Sequence, residues 1–315
     1  MVERPGVTLP PAPERPPVGR RRLSRTRVWL RRLVALVLLV GFFGLALWLG
    51  VTALGGRGEE EAEPPPPPTT TAPPPPPTLR ILFPEGFTRK EMVVRVGEVR
   101  KIAQTKRKLT PKMTQKGYDA ASEKARVPAA FRADAKGSEG FLFPATYEFT
   151  PKTRARELVA DQVEFFEQNW SKVDMRYARS RNLTPYDVLI IASMVEEEAQ
   201  APAERKLVAA VIYNRLKVGM PLGIDATIRY GLGVPGTESL RESHLESDNP
   251  YNTRNRQGLP PTPITNPGLA SIQAAAKPAN VKYLFFVRKP GTTRHFFTAS
   301  EAEFYRKQCE YGYGC

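Results

Sequence analysis

The chain has 315 residues, of which 41% are hydrophobic, and its 47 basic and 32 acidic residues give a formal net charge of +15 at pH 7. This length suits one or two domains, and the hydrophobic content is sufficient for a packed core. Because the chain has only two histidines and two cysteines, it lacks the usual residues of a histidine-based catalytic triad or a zinc site. No GxSxG, phosphate-loop or dinucleotide-binding glycine pattern occurs, which excludes most common enzyme classes.

The amino-terminal part is predicted to anchor the chain in a membrane. Residues 1–32 form an arginine-rich tail, and residues 33–54 contain no charged side chain. A bilayer core requires about 20 apolar residues in a helix, so residues 33–54 are predicted to span it. The positive-inside rule places the tail in the cytoplasm and everything beyond the span outside. A cleaved signal peptide is the alternative, but its apolar region usually has only about 7–15 residues.

The basic tail gives no reason to expect a nucleic-acid partner, because arginines beside a membrane span serve topology and contact with anionic lipids. Residues 55–78 follow as a linker with two blocks of five prolines around TTTA. Such a segment extends as polyproline II by about 3.1 Å per residue, so it is predicted to be a semi-rigid stalk. Cys309 and Cys315 lie at the far end of the chain, where an oxidising compartment favours their pairing.

The part predicted to fold outside the membrane is of the α+β class. Residues 79–135 begin with a short apolar strand and continue with Thr88, a helix cap that has Glu91 at the third helical position. A basic, mostly helical stretch follows this cap. A strand followed by helices predicts a small strand-and-helix module. Residues 136–315 form the second predicted domain. Its first segment, GSEGFLFPATYEF at 137–149, combines aromatic residues with glycine and proline, which favours a scaffold element or a groove wall.

Three consecutive glutamates end the most apolar predicted helix. The helix is predicted over residues 185–200, with Thr184 as its N-cap. At about 100° per residue, Glu198 falls within the apolar face, whereas Glu196 and Glu197 point away from the centre of that face. A carboxyl on an apolar face loses hydration and stays protonated to a higher pH, as a general acid requires. The alternative is that Glu198 lies beyond the last buried turn and is simply solvated.

A second helix is predicted over residues 201–219, and a long loop rich in Asn, Thr, Gly and Pro follows it. Such a loop offers many hydrogen-bonding groups, and Tyr230, Tyr251 and Phe296 supply the aromatic faces that sugars favour. A purely structural loop is the alternative. His295 is predicted to be a packing or hydrogen-bonding residue rather than a proton carrier.

Several segments, in order, resemble the YceG-like (MltG) family of endolytic murein transglycosylases. They are EGFLFPATYEF, IIASMVEEEA, AAVIYNRLKVGMPLGIDATIRYGLG, PYNTRNRQGLPPTPITNPGLASIQAA and the pair YLFFV and RHFFT. The resemblance implies a LysM-like module at 79–135 and a catalytic domain at 136–315. The family's catalytic glutamate lies in a V-E-x-E pattern, which here is residues 195–198, so the resemblance also selects Glu198. The chain departs from the family pattern at Ala199 and at Gly223–Ile224.

The resemblance further implies that the chain cleaves bonds between MurNAc and GlcNAc within nascent peptidoglycan strands and leaves 1,6-anhydroMurNAc ends. Glu198 would act first as general acid and then as base, without a metal or cofactor, beside the cell-wall synthases of elongation and division. The residues expected to contact the glycan are Asp225, Tyr251, Asn252, Thr253 and Asn214, although Asn214 and Arg215 could instead only fix the second helix. Two alternatives stay open: a hydrolase that uses Glu198 with Asp225, and a non-catalytic glycan-binding scaffold for synthases.

Overall fold

The structure, a computed structural model, describes residues 77–314. The predicted cytoplasmic tail at 1–32, the predicted span at 33–54 and nearly all of the linker at 55–78 lie outside these residues, as does Cys315. No helix within the described part of the chain combines the length and the apolar character needed to cross a membrane.

Helices dominate the described residues and are joined by two small antiparallel sheets of two strands each, so the predicted α+β class is confirmed. Short 3₁₀ turns lie at 129–131 and 202–204. The elements in chain order are β1 Leu79–Leu82, α1 Arg89–Arg107, α2 Gln115–Glu123, β2 Thr146–Phe149, α3 Ala155–Trp170, α4 Arg176–Arg179, α5 Pro185–Glu198, α6 Arg205–Lys217, α7 Asp225–Leu232, α8 Glu242–Leu245, α9 Leu269–Ala276, β3 Phe285–Arg288, β4 His295–Thr298 and α10 Glu301–Glu310.

The first sheet joins the beginning of the described chain to a later segment. β1 pairs with β2, so that Leu79 lies opposite Phe149 and Leu82 opposite Thr146. One hydrophobic cluster combines side chains from β1, α1, α2, β2 and α3. The predicted module ends at residue 135, before β2, and both this boundary and the LysM-like assignment stay predictions. The predicted cap of α1 is confirmed, because Thr88 and Glu91 form a reciprocal capping box.

Helix α5 runs through the centre of the larger hydrophobic cluster. Thr184 accepts a hydrogen bond from the Asp187 N–H, the Asp187 carboxylate accepts one from the Thr184 N–H, and Pro185 occupies the first helical position. The predicted start of the helix is therefore confirmed, and its end at Glu198 comes slightly before the predicted one. All residues from Val188 to Val195 are buried, because α6 and α9 both pack against this helix.

Gly140 permits the close packing of the segment 137–149 against α5. Its φ is +91°, and an added Cβ would lie 2.8 Å from Pro263 Cγ and 3.0 Å from Leu189 Cδ2. We expect Gly140→Ala to lower the free energy of unfolding by about 2–4 kcal/mol through backbone strain and overpacking, measured by chemical denaturation. The control is Gly137→Ala, where an added Cβ meets no atom within 4 Å. Equal stabilities of the two variants would contradict this account.

Candidate active site

Glu198 is the last residue of α5, and its side chain is partly buried. Its carboxyl makes no hydrogen bond or ion pair with any residue in the range 77–314. Loss of hydration and the negative charge of Asp225 raise the pKa of Glu198 to about 7, against the opposing effect of the Arg288 charge. The group is therefore neither freely solvated nor held by the protein, and at neutral pH it exists in both protonation states.

The other two glutamates occupy different environments. The prediction that Glu196 points away from the buried side is wrong, since its side chain is only 7% exposed. It accepts a hydrogen bond from the Gly268 N–H at 2.8 Å and lies 3.5 Å from Arg205 Nη2. Helix α9 begins beside it, so α5 is enclosed on this side as well. Glu197 is exposed, as the helical wheel predicts.

Asp225 is the first residue of α7, and its side chain is about half exposed, at 46%. Its Oδ1 lies 2.7 Å from Arg254 Nη2 in an ion pair. Thr253 fixes the start of this helix, because its buried hydroxyl accepts a hydrogen bond from the Ile224 N–H at 3.0 Å and shares another with Thr227. The structure thus brings Asp225 into the electrostatic environment of Glu198 and gives Thr253 contacts within the protein.

Asn252 is completely buried, and its side chain donates to the carbonyls of Leu245 at 2.8 Å and Ser247 at 2.7 Å. These bonds shape the loop that carries Thr253 and Arg254. Direct contact of Asn252 and Thr253 with a substrate stays a prediction.

A cavity of about 450 Å³, here called the tyrosine cavity, lies beside the end of α5. Its wall includes Tyr230, Tyr251, Glu139 and Glu197. The two tyrosine rings are 5.2 Å apart at an angle of 59°. Glu197 is exposed as a residue, but its carboxyl loses part of its hydration at this wall. This loss, together with the charges of Glu91, Glu198 and Glu196, raises the pKa of Glu197 to about 7. Two of the three aromatic residues expected to face sugars therefore lie here.

The third aromatic residue, Phe296, contacts Lys307, whose Nζ lies 5.6 Å from the ring centre. Asn214 donates two hydrogen bonds, to the carbonyls of Val281 at 2.9 Å and Tyr283 at 2.8 Å. It lines a different cavity from Tyr251. These contacts fix α6 against the segment before β3, and a substrate contact of Asn214 stays a prediction.

Glu139 is a buried carboxyl on the wall of the tyrosine cavity that the sequence pattern did not indicate. It accepts hydrogen bonds from the Arg89 N–H at 2.9 Å, Asn266 Nδ2 at 2.7 Å and Tyr230 Oη at 3.2 Å. Burial raises its pKa to about 7 in spite of these bonds. In the sequence, only its position inside an aromatic segment suggests that Glu139 is buried, because an irregular turn has no periodic pattern from which burial can be predicted.

His295 is buried with Glu204 and makes two contacts with it. The His295 N–H donates to the Glu204 carboxylate at 3.1 Å, and Nδ1 lies 2.8 Å from Oε2 of the same group. This hydrogen-bonding role agrees with the prediction. No group of three or more His, Cys, Asp or Glu residues among residues 77–314 is arranged to hold a metal ion.

The arrangement around Glu198 supports proton transfer. An acid with a pKa near 7 can donate a proton to a leaving group and then remove one from a nucleophile at the same pH. The absence of hydrogen-bond partners within 77–314 leaves both carboxyl oxygens available to a ligand. The tyrosine cavity, whose wall includes the adjacent Glu197 but not Glu198, offers aromatic and polar groups in the mixture that binding sites for small polar ligands use.

Comparison with known proteins identifies relatives of this chain. The endolytic murein transglycosylase of Bacillus subtilis is 39% identical over 154 residues, which are 48% of this chain and 42% of that protein. A protein of the same name from Streptococcus pneumoniae D39 is 33% identical over 177 residues, which are 55% of this chain and 32% of that protein. The matching part thus spans less than half the length of either curated relative.

A solved structure supports the same grouping. The crystal structure of a YceG-like protein from Listeria monocytogenes is 28% identical, has a TM-score of 0.59, and matches 72% of this chain and 75% of that chain. The model of the YceG-like family matches residues 71–310, which include all the residues of the site. This chain therefore belongs to the YceG-like family.

Proposed function

We propose that the chain is a peptidoglycan lytic transglycosylase that cleaves bonds between MurNAc and GlcNAc inside glycan strands. The observation that carries the proposal is the state of Glu198, a partly buried carboxyl with a pKa near 7 and no hydrogen-bond partner in the described chain. The names of the relatives, endolytic murein transglycosylases, support the choice of substrate.

The first step breaks the glycosidic bond. Protonated Glu198 donates its proton to the oxygen that bridges MurNAc C1 and GlcNAc C4, and the C1–O bond breaks as the leaving hydroxyl forms. Positive charge develops at C1 of MurNAc. The Glu198 carboxylate formed in this step lies beside that charge and stabilises it.

The second step closes a ring instead of admitting water. The C6 hydroxyl of the same MurNAc attacks C1, and the Glu198 carboxylate removes the hydroxyl proton. The products are a 1,6-anhydroMurNAc end and a GlcNAc end with a free C4 hydroxyl. Glu198 is protonated again, no water is consumed, and a single carboxyl performs both proton transfers without a cofactor.

The cellular setting belongs to the same proposal. The apolar segment at 33–54 would anchor the chain in the cytoplasmic membrane as a single span, with its amino terminus inside and the catalytic part outside. The proline-rich linker would hold that part away from the bilayer. At this place nascent strands emerge from cell-wall synthases, which we propose as partners, and the module at 79–135 would contact the glycan as a LysM-like domain.

Asp225 supports one alternative chemistry, because its charge acts on Glu198 and two carboxyls are what a glycoside hydrolase requires. Its ion pair with Arg254 opposes that role, since Oδ1 of the carboxylate is already held by the guanidinium. A non-catalytic scaffold is the other alternative.

Product analysis separates these three functions. The full chain is incubated with purified glycan strands, and the released fragments are examined by mass spectrometry before and after borohydride reduction. We expect fragments that are lighter by one water molecule than hydrolysis products and are not changed by the reduction. Reducible ends would instead identify a hydrolase, and intact strands would identify a scaffold.

A further inference from the structure

Arg288 is the last residue of β3 and lies opposite His295 of β4. Side chains alternate between the two faces of this sheet. Phe285 stacks on Phe304 of α10, with ring centres 5.1 Å apart, so α10 covers one face. Phe286 and Arg288 extend from the other face, where Phe286 packs against the larger hydrophobic cluster that contains α5. Arg288 is therefore directed to the same side as the core helix that ends at Glu198.

A network around Arg215 fixes the sheet beside the proposed active site. Arg215 donates through Nε to the Leu284 carbonyl at 2.6 Å and through Nη1 to the Leu222 carbonyl at 2.6 Å. Leu284 immediately precedes β3, and Leu222 lies just before α7 and Asp225. The Arg215 side chain thus links the start of β3 to the segment before α7, the helix that carries Asp225. The effect of the Arg288 charge on Glu198 agrees with this placement.

Arg288 has an unsatisfied donor at this position. Its Nε is buried and donates to no acceptor among residues 77–314. Its two Nη groups are not buried, and they form no hydrogen bond or ion pair with those residues. Other partly buried arginines have partners: Arg205 lies 3.5 Å from Glu196 Oε1, and Arg215 donates to backbone carbonyls. Arg95 also has a buried Nε without a hydrogen bond, but this atom lies 3.6 Å from Glu98 Oε2 in an ion pair. A partly buried guanidinium without a partner loses hydration that no protein group replaces. Its accessible Nη groups, on the side of the sheet that faces the helix of the unpaired acid, indicate a site that a ligand completes.

We propose that Arg288 is a substrate-binding residue whose accessible Nη groups donate to a carboxylate carried by the C3 substituent of MurNAc next to the scissile bond. The inference rests on the proposed function, which supplies the substrate. A carboxylate fits better than a neutral carbonyl, because a partly buried guanidinium is compensated most completely by an anion, in a charge-assisted hydrogen bond. In strands without stem peptides this carboxylate belongs to the lactyl group, and in peptide-bearing strands it belongs to the peptide.

Binding at Arg288 also assists the proposed chemistry. The Arg288 charge favours the ionised form of Glu198. A substrate carboxylate that pairs with Arg288 offsets this charge, so the bound state favours protonated Glu198. The acid is then in the form that donates a proton at the moment when a strand occupies the site.

The test compares the binding of three kinds of strand to the full chain with Glu198→Gln, which binds without cleaving. One kind carries stem peptides, the second has lost them and exposes lactyl carboxylates, and in the third those carboxylates are converted to neutral methylamides. Adding Arg288→Gln is expected to weaken binding to at least one carboxylate-bearing strand about 10- to 100-fold. Binding to the methylamide strand is expected to change by less than about threefold, since only a neutral contact remains.

The matched control is Arg294→Gln, which removes an exposed arginine of the same hairpin and is expected to leave all three affinities unchanged. Arg288→Lys keeps the positive charge but lacks the planar arrangement of donors. We expect it to weaken binding by an intermediate amount, and only for carboxylate-bearing strands. This variant provides the test if Arg288→Gln folds poorly. Weaker binding of peptide-free strands would identify the lactyl carboxylate as the partner of Arg288. Weaker binding of peptide-bearing strands would identify a carboxylate of the stem peptide.

Two results would overturn the inference: an equal loss on the methylamide strand, or no loss on either carboxylate-bearing strand. Product analysis of the unmodified chain keeps this failure distinct from failure of the proposed function. If the chain produces anhydro ends but the Arg288 variants bind all strands normally, only the role of Arg288 is contradicted. If the chain binds strands through Arg288 and a carboxylate but cleaves none of them, only the proposed transglycosylase activity is contradicted.

Discussion

Glu198→Gln is expected to lower the rate of strand cleavage by at least about 10²- to 10⁴-fold, which is the usual contribution of a general acid and base. Glutamine has nearly the same shape but no carboxyl proton to donate. The variant should fold normally, because the Glu198 side chain makes no hydrogen bond or ion pair with the described residues that the substitution would break. The measurement is the release of soluble fragments from purified strands, with circular dichroism as the check on folding.

Glu196→Gln is the matched control, because it makes the same chemical change two residues earlier in the same helix. Its amide oxygen can still accept from the Gly268 N–H, but the charge beside Arg205 is lost. We therefore expect a lower unfolding temperature and, below that temperature, cleavage within about threefold of the unmodified chain, because only a structural contact is lost. Full cleavage by Glu198→Gln, or equal losses in the two variants, would contradict the assignment of Glu198.

The pH dependence of the unmodified chain provides a further check on the same residue. The free enzyme requires protonated Glu198, whose pKa is raised to about 7. The protonated fraction falls as the pH rises through 7, so kcat/KM should decrease tenfold per pH unit well above that value. A carboxyl with an ordinary pKa would instead lose activity from about pH 4.5 upward. A profile that falls near pH 4.5 would therefore contradict the environment described for Glu198.

The sequence was sufficient to predict the helix that carries Glu198, because the signals are local. Thr184 and Pro185 mark its start through side-chain capping and a fixed φ, and both occur in the structure as predicted. The wheel also placed Glu198 correctly near the buried side. It failed for Glu196 because it assumed one buried face, whereas α6 and α9 enclose the helix. The residue pattern within α5 contains no information about α9, which begins at Leu269 and covers the side of α5 that carries Glu196.

The remaining parts of the site depend on contacts between distant segments. Alternation in the strand at 285–288 indicates that Arg288 and Phe286 share a face, but it does not indicate that this face lies toward Glu198. Glu139 lies in an irregular turn, where no period predicts burial. The loop around Asn252 was predicted to be polar, and it is. Its composition could not show that Asn252 and Thr253 direct their hydrogen bonds to neighbouring protein groups.

Asn266 joins three segments around the tyrosine cavity, and its side chain is completely buried. Its Oδ1 accepts from the Gly140 N–H at 2.9 Å and the Leu142 N–H at 3.0 Å. Its Nδ2 donates to the Phe87 carbonyl at 2.9 Å and to Glu139 Oε1 at 2.7 Å. All four hydrogen-bonding positions of the amide are thus used, and the segment before α1, the segment before β2 and the segment before α9 are held together.

Asn266→Ala is expected to lower the free energy of unfolding by about 3–5 kcal/mol, because it leaves two N–H groups, a carbonyl and a carboxylate without these bonds in a buried region. The unfolding temperature should fall by roughly 10 °C for a folded part of this size. Asn255→Ala is the control, since this exposed residue donates a single side-chain bond, to Leu245, and should cost less than about 1 kcal/mol. If both variants were equally stable, water would have to replace the four buried bonds, and Asn266 would not hold the cavity together.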